Sequence, residues 1–207
     1  MGRPSDARAR VLEAACALIG RRGYTALGVA EICATAGVPK GSFYYFFDSK
    51  QALTLSVIDE HWGVQRGQWE RTLRGEGEPL ERLRHLFDAT VAQQQKAQEA
   101  TGSVTGCLLA NLALELCVQD EGARRRLQEV FDEQIDLVLE LIVAAVRAGS
   151  VAESSASRAT ARSIVAQMEG LVLFAKLSND PAVLTDLWQQ TLLLLGAADP
   201  RRLERTS

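Results

Sequence analysis

Residues 29–50 read VAEICATAGVPKGSFYYFFDSK, and this stretch decides the fold of the N-terminal part of the chain. Its Gly37-Val38-Pro39 triplet joins a residue that tolerates unusual backbone angles to one that breaks helices, so it predicts a turn. The residues on either side, about 29–36 and 40–46, fit two brief helices. Two short helices joined by a three- or four-residue turn that contains glycine form a helix-turn-helix. The segment therefore predicts this motif near the N-terminus.

The second of these helices carries an unbroken run of aromatic residues from Phe43 to Phe47. Phe43 and Phe47 are four positions apart, so their side chains share one face of the helix and are predicted to anchor the core. A purely structural aromatic cluster is the simpler interpretation of such a run. Tyr44 and Tyr45 fall outside the phenylalanine pair, and their polar rings favour an exposed surface that recognises a partner.

The start of the same helix is small, basic and rich in hydroxyl groups. At about 100° per residue, Lys40 shares a face with Tyr44, and Gly41 shares another with Tyr45. In the sequence, Ser42 follows Gly41 and precedes the aromatic run. Such a helix N-terminus offers unpaired backbone N–H groups, a close approach through glycine, and donors for phosphates and base edges. The pattern favours insertion of this helix into the major groove of double-stranded DNA.

The net charge of −3 is unevenly distributed along the chain. Residues 1–50 hold seven lysines and arginines against four acidic residues and carry +3, whereas residues 51–207 hold sixteen against twenty-two and carry −6. A basic segment attached to an acidic one suits local binding to phosphates, although a difference of this size is small.

Apolar residues continue at helical spacing to the end of the chain, and breakers such as residues 75–79 and 149–157 divide them. The sequence therefore predicts an all-α protein of about nine helices. Residues 1–50 are predicted to form a three-helix helix-turn-helix domain. Residues 51–198 are predicted to form a larger helical domain that binds an effector and forms the dimer. Residues 199–207 are predicted to be a disordered tail.

Several classes of protein do not fit the composition. The four cysteines lack CxxC spacing and there are two histidines, so we expect no metal site, no disulfide framework and no cofactor. Nucleophile-elbow, metalloprotease and phosphate-loop motifs do not occur, and we expect no catalytic residues and no enzyme activity. No apolar run reaches the roughly 18–20 residues of a membrane span, which favours a cytoplasmic protein that makes no membrane contact.

Residues 158–195 are apolar on more than one face of the two helices predicted there. A helix that is hydrophobic all round must be buried, and a chain of 207 residues has limited interior to cover two of them. The sequence therefore predicts a homodimer with these helices at its interface. The predicted interface residues are Ile164, Met168, Leu171, Leu184, Leu187, Trp188 and Leu192.

Residues 26–50, with GVPKGSFYYFF and the following Ser49-Lys50, resemble the DNA-binding domain of tetracycline-repressor-family regulators. The resemblance implies a transcriptional regulator, normally a repressor, whose two-fold dimer binds a palindromic operator and leaves it when an effector binds. Such a regulator is expected in a bacterial cytoplasm, at the nucleoid when bound. By the resemblance, Lys40, Gly41 and Tyr44 approach base edges, while Ser42, Tyr45 and Lys50 contact the DNA backbone or hold the helix end.

Two positions depart from the family pattern. Gly28 stands where a threonine or serine usually caps the second helix; glycine can cap a helix but supplies no hydroxyl to a phosphate. Phe46 stands at a place often held by histidine, so a phosphate contact from that side chain is lost. A helical ligand-binding or adaptor protein without DNA affinity is the alternative, and sequence-specific, salt-dependent DNA binding separates the two.

Cys107 and Lys176 are candidates for sensing the effector. Cys107 follows Gly106 at the start of an apolar helix, and Lys176 ends the apolar run at residues 170–175. A thiol near a helix N-terminus and close to a lysine is a good nucleophile for electrophiles and oxidants. The sequence around both residues resembles the branch of the family that represses N-ethylmaleimide reductase, where the corresponding cysteine is the sensor. A structural cysteine, or a pocket that binds an apolar small molecule reversibly, remain the alternatives.

Overall fold

The computed structural model describes residues 4–197, and the tail predicted at residues 199–207 lies outside the described residues. Within this range the regular structure is entirely helical, which confirms the predicted all-α fold with about nine helices. Two 3-10 turns span Glu153–Ser155 and Pro181–Asp186. The α-helices are α1 Pro4–Arg22, α2 Val29–Ala36, α3 Lys40–Phe46, α4 Lys50–Leu73, α5 Pro79–Thr101, α6 Leu108–Leu116, α7 Glu121–Arg147, α8 Arg158–Ser178 and α9 Leu187–Leu195.

The helix ends have local causes. Pro79 opens α5, where the missing backbone N–H costs no hydrogen bond. Ser157 caps α8 by accepting the backbone N–H of Thr160 at 3.1 Å. Asn179 ends α8 in the left-handed conformation, with φ of 53°, and Pro181 starts the next turn. These residues explain why α8 and α9 are separate helices.

Two compact units make up the part of the chain that the structure describes. The first holds the described residues up to Val64 together with Cys107–Val130, and the second holds Gln65–Gly106 and the described residues from Phe131 onward. The first unit is thus larger than the domain predicted at residues 1–50, because α6 packs against α1. A division of function at residue 50 stays a prediction.

The first unit has its core where α1, α2 and α3 pack together. The side chains that fill it come from the apolar faces of these helices and from the start of α4. Among the most deeply buried are Val11, Ala15, Ile19, Ile32, Phe43, Leu53, Val57 and Ile58. Burial of large apolar side chains on every helix gives this unit a hydrophobic core of its own.

The second unit is built around α5, α8, the turn at Pro181–Asp186 and α9. Phe87 of α5 meets Trp188 of α9 edge-to-face, with the ring centres 6.5 Å apart. Arg158 at the start of α8 bonds to Asp132 at 2.6 Å and also to Asp136, both on α7. Among the described helices, none combines the length and the hydropathy that crossing a membrane requires.

Candidate nucleic-acid interface

The turn between α2 and α3 depends on Gly37. This residue has φ of 64°, in the left-handed region that glycine enters without steric cost. Its N–H donates to the carbonyl of Ala34 at 3.2 Å, and the N–H of Val38 donates to the carbonyl of Cys33 at 3.0 Å. These bonds close the end of α2 and turn the chain, so that Pro39 precedes the first residue of α3. The predicted helix-turn-helix is present.

The two faces of α3 differ sharply. Phe43 has no exposed surface and Phe47 is 4% exposed, with their ring centres 5.6 Å apart. Tyr44 is 57% and Tyr45 is 78% exposed. The predicted split between core phenylalanines and exposed tyrosines is therefore observed, and it follows from the spacing of these residues around a helix. Contact between the tyrosines and DNA stays a prediction.

The exposed face of α3 also includes Lys40 and Gly41, and Ser42 is partly exposed. A Cβ atom added to Gly41 would meet no atom within 4 Å. Nothing inside the protein therefore requires glycine at this position, although glycine within a helix costs about 0.5–1 kcal/mol relative to alanine. A partner that approaches the backbone closely would explain it.

Gly28 occupies the cap position of α2 that the sequence predicted. Its carbonyl accepts the N–H groups of Glu31 and Ile32 at 3.1 and 3.2 Å. Its φ of −100° is open to any residue, and an added Cβ would again meet nothing within 4 Å. Gly28 is thus a cap without a side-chain hydrogen bond, and the surrounding space is open.

Two arginines of α1 lie beside this motif, and sequence reasoning missed them. The guanidinium of Arg8 lies 5.3 Å from the centre of the Phe47 ring. A guanidinium nitrogen of Arg10 lies 3.6 Å from where a Cβ on Gly37 would stand. Both arginines are exposed. The excess of positive charge in residues 1–50 was the available signal, but periodicity alone did not show which arginines face the turn.

Lys50, at the start of α4, has partners inside the protein. Its ammonium donates to the carbonyl of Tyr24 at 2.7 Å and lies 3.8 Å from the centre of that ring. Burial lowers the pKa of Lys50 below its ordinary value, and the carboxylate of Glu115 opposes this shift. The lysine therefore ties α4 to the segment between α1 and α2, and its predicted contact with the DNA backbone stays a prediction.

The candidate effector residues lie on different units. Cys107 belongs to the first unit and caps α6, where its sulfur accepts the N–H of Ala110 at 3.5 Å. Lys176 belongs to the second unit and is exposed in the last turn of α8. Proximity of the thiol to this lysine stays a prediction.

The other cysteines differ in their surroundings, and none of the four forms a disulfide. Burial raises the pKa of Cys16 to about 11, and the carboxylates of Glu60 and Glu13 add to the rise. Burial also raises the pKa of Cys33, against an opposing effect of Lys40. Thiols of this kind are weak nucleophiles at neutral pH. Within residues 4–197, no group of three or more metal-ligating side chains is placed to hold a metal ion.

The residues predicted at the dimer interface are mostly core residues of a single protomer. Six of the seven are buried within it: Ile164, Met168, Leu184, Leu187, Trp188 and Leu192. Leu171 is partly exposed. An apolar pattern cannot distinguish burial inside one protomer from burial between two, which is why the sequence pointed to these positions. The large apolar side chains that α8 and α9 do expose are Leu173, Phe174, Leu177, Leu193 and Leu194.

Comparison with known families accounts for most of the chain. The family described as bacterial regulatory proteins, tetR family, matches residues 11–57, and the tetracyclin repressor-like C-terminal domain matches residues 79–191. The chain is 32% identical to the transcriptional regulator AcuR of Cereibacter sphaeroides over 161 residues, 77% of this chain and 72% of that protein. It is 33% identical to the HTH-type transcriptional repressor NemR of Escherichia coli over 120 residues, 58% of each chain.

Solved structures show the same relationship. Reduced NemR of Escherichia coli matches with a TM-score of 0.81 at 27% identity, covering 90% of this chain and 95% of that one. The regulatory protein TetR from Rhodobacter sphaeroides matches with a TM-score of 0.81 at 26% identity, covering 89% and 96%. The matched proteins are transcriptional regulators and not enzymes, as the sequence predicted. This chain therefore belongs to the tetR family of bacterial regulatory proteins and is a DNA-binding transcriptional regulator.

Proposed function

We propose that this chain is a repressor that binds a palindromic operator as a homodimer, with α3 of each protomer in the major groove. The observation that carries the proposal is the exposure of Tyr44 and Tyr45 on a helix whose other face is packed through Phe43. Exposed tyrosines beside a glycine and a lysine supply stacking surface, hydroxyl groups, close approach and positive charge at one place.

The proposed roles follow from where the side chains lie. Lys40, Gly41 and Tyr44 read base edges, because they lie on the exposed face at the start and middle of α3. Ser42 and Tyr45 contact the DNA backbone, the cap of α2 at Gly28 leaves space for a phosphate, and Lys50 holds the start of α4 through its bond to Tyr24. Arg8 adds positive charge beside Phe47 at the end of α3, and Arg10 adds it beside the turn at Gly37, where both bind phosphates.

The test is a selection of bound duplexes from a random pool, followed by titrations at several salt concentrations. A repressor of this kind should recover one palindromic sequence, with an affinity that falls linearly on a log–log plot against salt. Recovery of no sequence above the random pool would reject operator binding and leave a helical ligand-binding or adaptor protein.

We assign the dimer contacts to the apolar side chains that α8 and α9 expose, namely Leu173, Phe174, Leu177, Leu193 and Leu194. Exposed apolar side chains grouped on two helices that pack together are typical of a protein–protein interface. The buried residues predicted from the sequence, such as Ile164 and Trp188, then support the interface from beneath.

We propose that the effector is a small molecule. Electrophiles or oxidants that react at Cys107 are the proposed class. This thiol is partly exposed and caps α6, so a group added to its sulfur disturbs the start of that helix. The sulfur already accepts the backbone N–H of Ala110 at 3.5 Å, so it lies where the N–H groups at the start of α6 point. Release of DNA after modification of Cys107 alone is the expected behaviour.

A further inference from the structure

The segment between α1 and α2 is held by a carboxylate from a distant part of the chain. One oxygen of Glu115 on α6 accepts the backbone N–H of Tyr24 at 2.9 Å, and the other accepts the N–H of Thr25 at 2.8 Å. These residues are 90 or more positions apart in sequence. The Glu115 carboxylate therefore accepts hydrogen bonds from two consecutive backbone N–H groups, and we call this arrangement the Glu115 clamp.

The absence of a side chain at Gly23 leaves room for this carboxylate. It has φ of 79°, and a Cβ added there would lie 2.6 Å from a carboxylate oxygen of Glu115. Any side chain at this position would push the carboxylate away as well as strain the backbone. The backbone of residues 23–25 is thus shaped to receive Glu115.

The opposite side of the same segment is held by Lys50, whose ammonium donates to the carbonyl of Tyr24 at 2.7 Å. Both backbone groups of Tyr24 are therefore bonded to charged side chains, one from α4 and one from α6. Burial alone would raise the pKa of Glu115, but hydrogen bonds from Thr25 and Tyr24 and the charge of Lys50 lower it below its ordinary value. The carboxylate is ionised at neutral pH, and its hydrogen bonds are charge-assisted.

This clamp lies just before the helix-turn-helix. Only Ala26 and Leu27 separate the clamped residues from the cap of α2 at Gly28. Because α2 and α3 pack against α1 and against each other, bonds that hold the link before α2 to α4 and α6 also restrain α2 and α3. Without it, the motif keeps its own core but has more freedom to tilt.

We propose that Glu115 is a positioning residue that holds the helix-turn-helix in one orientation and so sets the spacing of operator half-sites that the dimer accepts. The inference rests on the proposed function, because spacing matters only to a dimer on a palindrome. Each added base pair moves one half-site by about 3.4 Å and rotates it by about one tenth of a turn. Rigidly held recognition helices lose one half-site when the spacing changes, whereas loosely held ones can follow it.

The experiment compares the duplex recovered by selection with duplexes carrying one or two extra base pairs at the centre. The test variant is Glu115→Gln, which keeps the size of the side chain but leaves one acceptor where two are needed. Glu115→Asp keeps the charge and serves as a partial rescue. Glu60→Gln is the matched control, because Glu60 is exposed on α4 in the same unit.

We expect the ratio of Kd values between altered and selected spacing to fall at least about fivefold in Glu115→Gln. Glu115→Asp should lie between that variant and the parent, and Glu60→Gln should match the parent. Simple loss of folded protein weakens binding to every duplex equally and leaves the ratio unchanged. An unchanged ratio in Glu115→Gln would therefore overturn the inference even though operator binding itself is intact.

A measurement without DNA tests the clamp itself. Hydrogen exchange at the amides of Tyr24 and Thr25 should be at least about tenfold faster in Glu115→Gln, with amides in the core of α1 unaffected. Equal protection of these two amides in the parent and the variant would show that the carboxylate does not hold the segment. If selection recovers no operator, the proposed function fails, and this measurement still decides whether the clamp exists.

Discussion

The buried ring of Phe43 meets the exposed ring of Tyr44 edge-to-face, with the ring centres 5.2 Å apart. Phe43 has no exposed surface and sits in the close-packed core of the first unit, so it forms a fixed support for the tyrosine. A side chain that is already held pays less conformational entropy when a partner binds. The core of the motif thus positions the residue that we propose reads DNA.

Replacing Tyr44 should separate binding from stability. We expect Tyr44→Ala to weaken operator binding by about tenfold or more, because a lost base contact costs roughly 1–3 kcal/mol. The free energy of unfolding should change by less than about 1 kcal/mol, since the side chain is largely exposed. Phe43→Ala should instead destabilise the protein by about 3–5 kcal/mol. Anisotropy titrations and urea melts measure both quantities, and near-parental affinity of Tyr44→Ala would contradict its role.

We expect a substitution at Gly41 to have opposite effects on stability and on DNA binding. Gly41→Ala should stabilise the free protein by about 0.5–1 kcal/mol, because alanine is the better helix former and its Cβ meets no other atom. The same substitution should weaken operator binding, since the methyl group occupies the space that the DNA needs. The same two methods test this, and equal operator affinity in both proteins would show that DNA does not approach the backbone here.

We expect Arg10, which lies beside the turn at Gly37, to contact DNA phosphates. Arg10→Ala is expected to reduce the slope of log affinity against log salt by about 1, with a similar loss on selected and altered sequences. Lys96→Ala removes one positive charge from an exposed position on α5 and is the control. Titrations from low to moderate salt measure the slope. Identical slopes for Arg10→Ala and the parent would remove Arg10 from the interface.

The dimer assignment can be tested with two exposed leucines. Leu177 on α8 is 72% exposed and Leu114 on α6 is 79% exposed within one protomer. Leu177→Glu should produce monomers at micromolar concentration, because it places a charge in the centre of an apolar interface, whereas Leu114→Glu should remain dimeric. Sedimentation velocity distinguishes monomers from dimers. If both variants remain dimeric, the interface lies elsewhere.

Cysteine reactivity should differ between α1 and α6. With its pKa raised to about 11, Cys16 holds almost no thiolate at pH 7.5, so N-ethylmaleimide should modify it slowly. Cys107 is expected to react first and its modification should release operator DNA, whereas Cys107→Ser should keep binding DNA after the same treatment. Intact-mass spectrometry and gel shifts on the same samples follow both events. Modification of Cys107 without loss of binding would leave a reversibly bound small molecule as the effector.

Local spacing was enough to predict much of the candidate site. Gly37 and Pro39 marked the turn, and the four-residue interval between Phe43 and Phe47 separated the core face of α3 from its exposed face. The geometry of a single helix determines these features, since side chains four residues apart lie on the same side whatever surrounds them.

The sequence alone determined the helical fold, the position of the helix-turn-helix and the residues on its exposed face. Only the tertiary structure decided that Glu115 holds Tyr24, that Arg10 lies beside Gly37, and that Ile164 is buried within its own protomer. Helical periodicity specifies which face of a helix is apolar, but the partner of that face depends on how separate helices pack. Contacts between residues 90 positions apart arise from the packing of separate helices, and a local sequence pattern does not predict them.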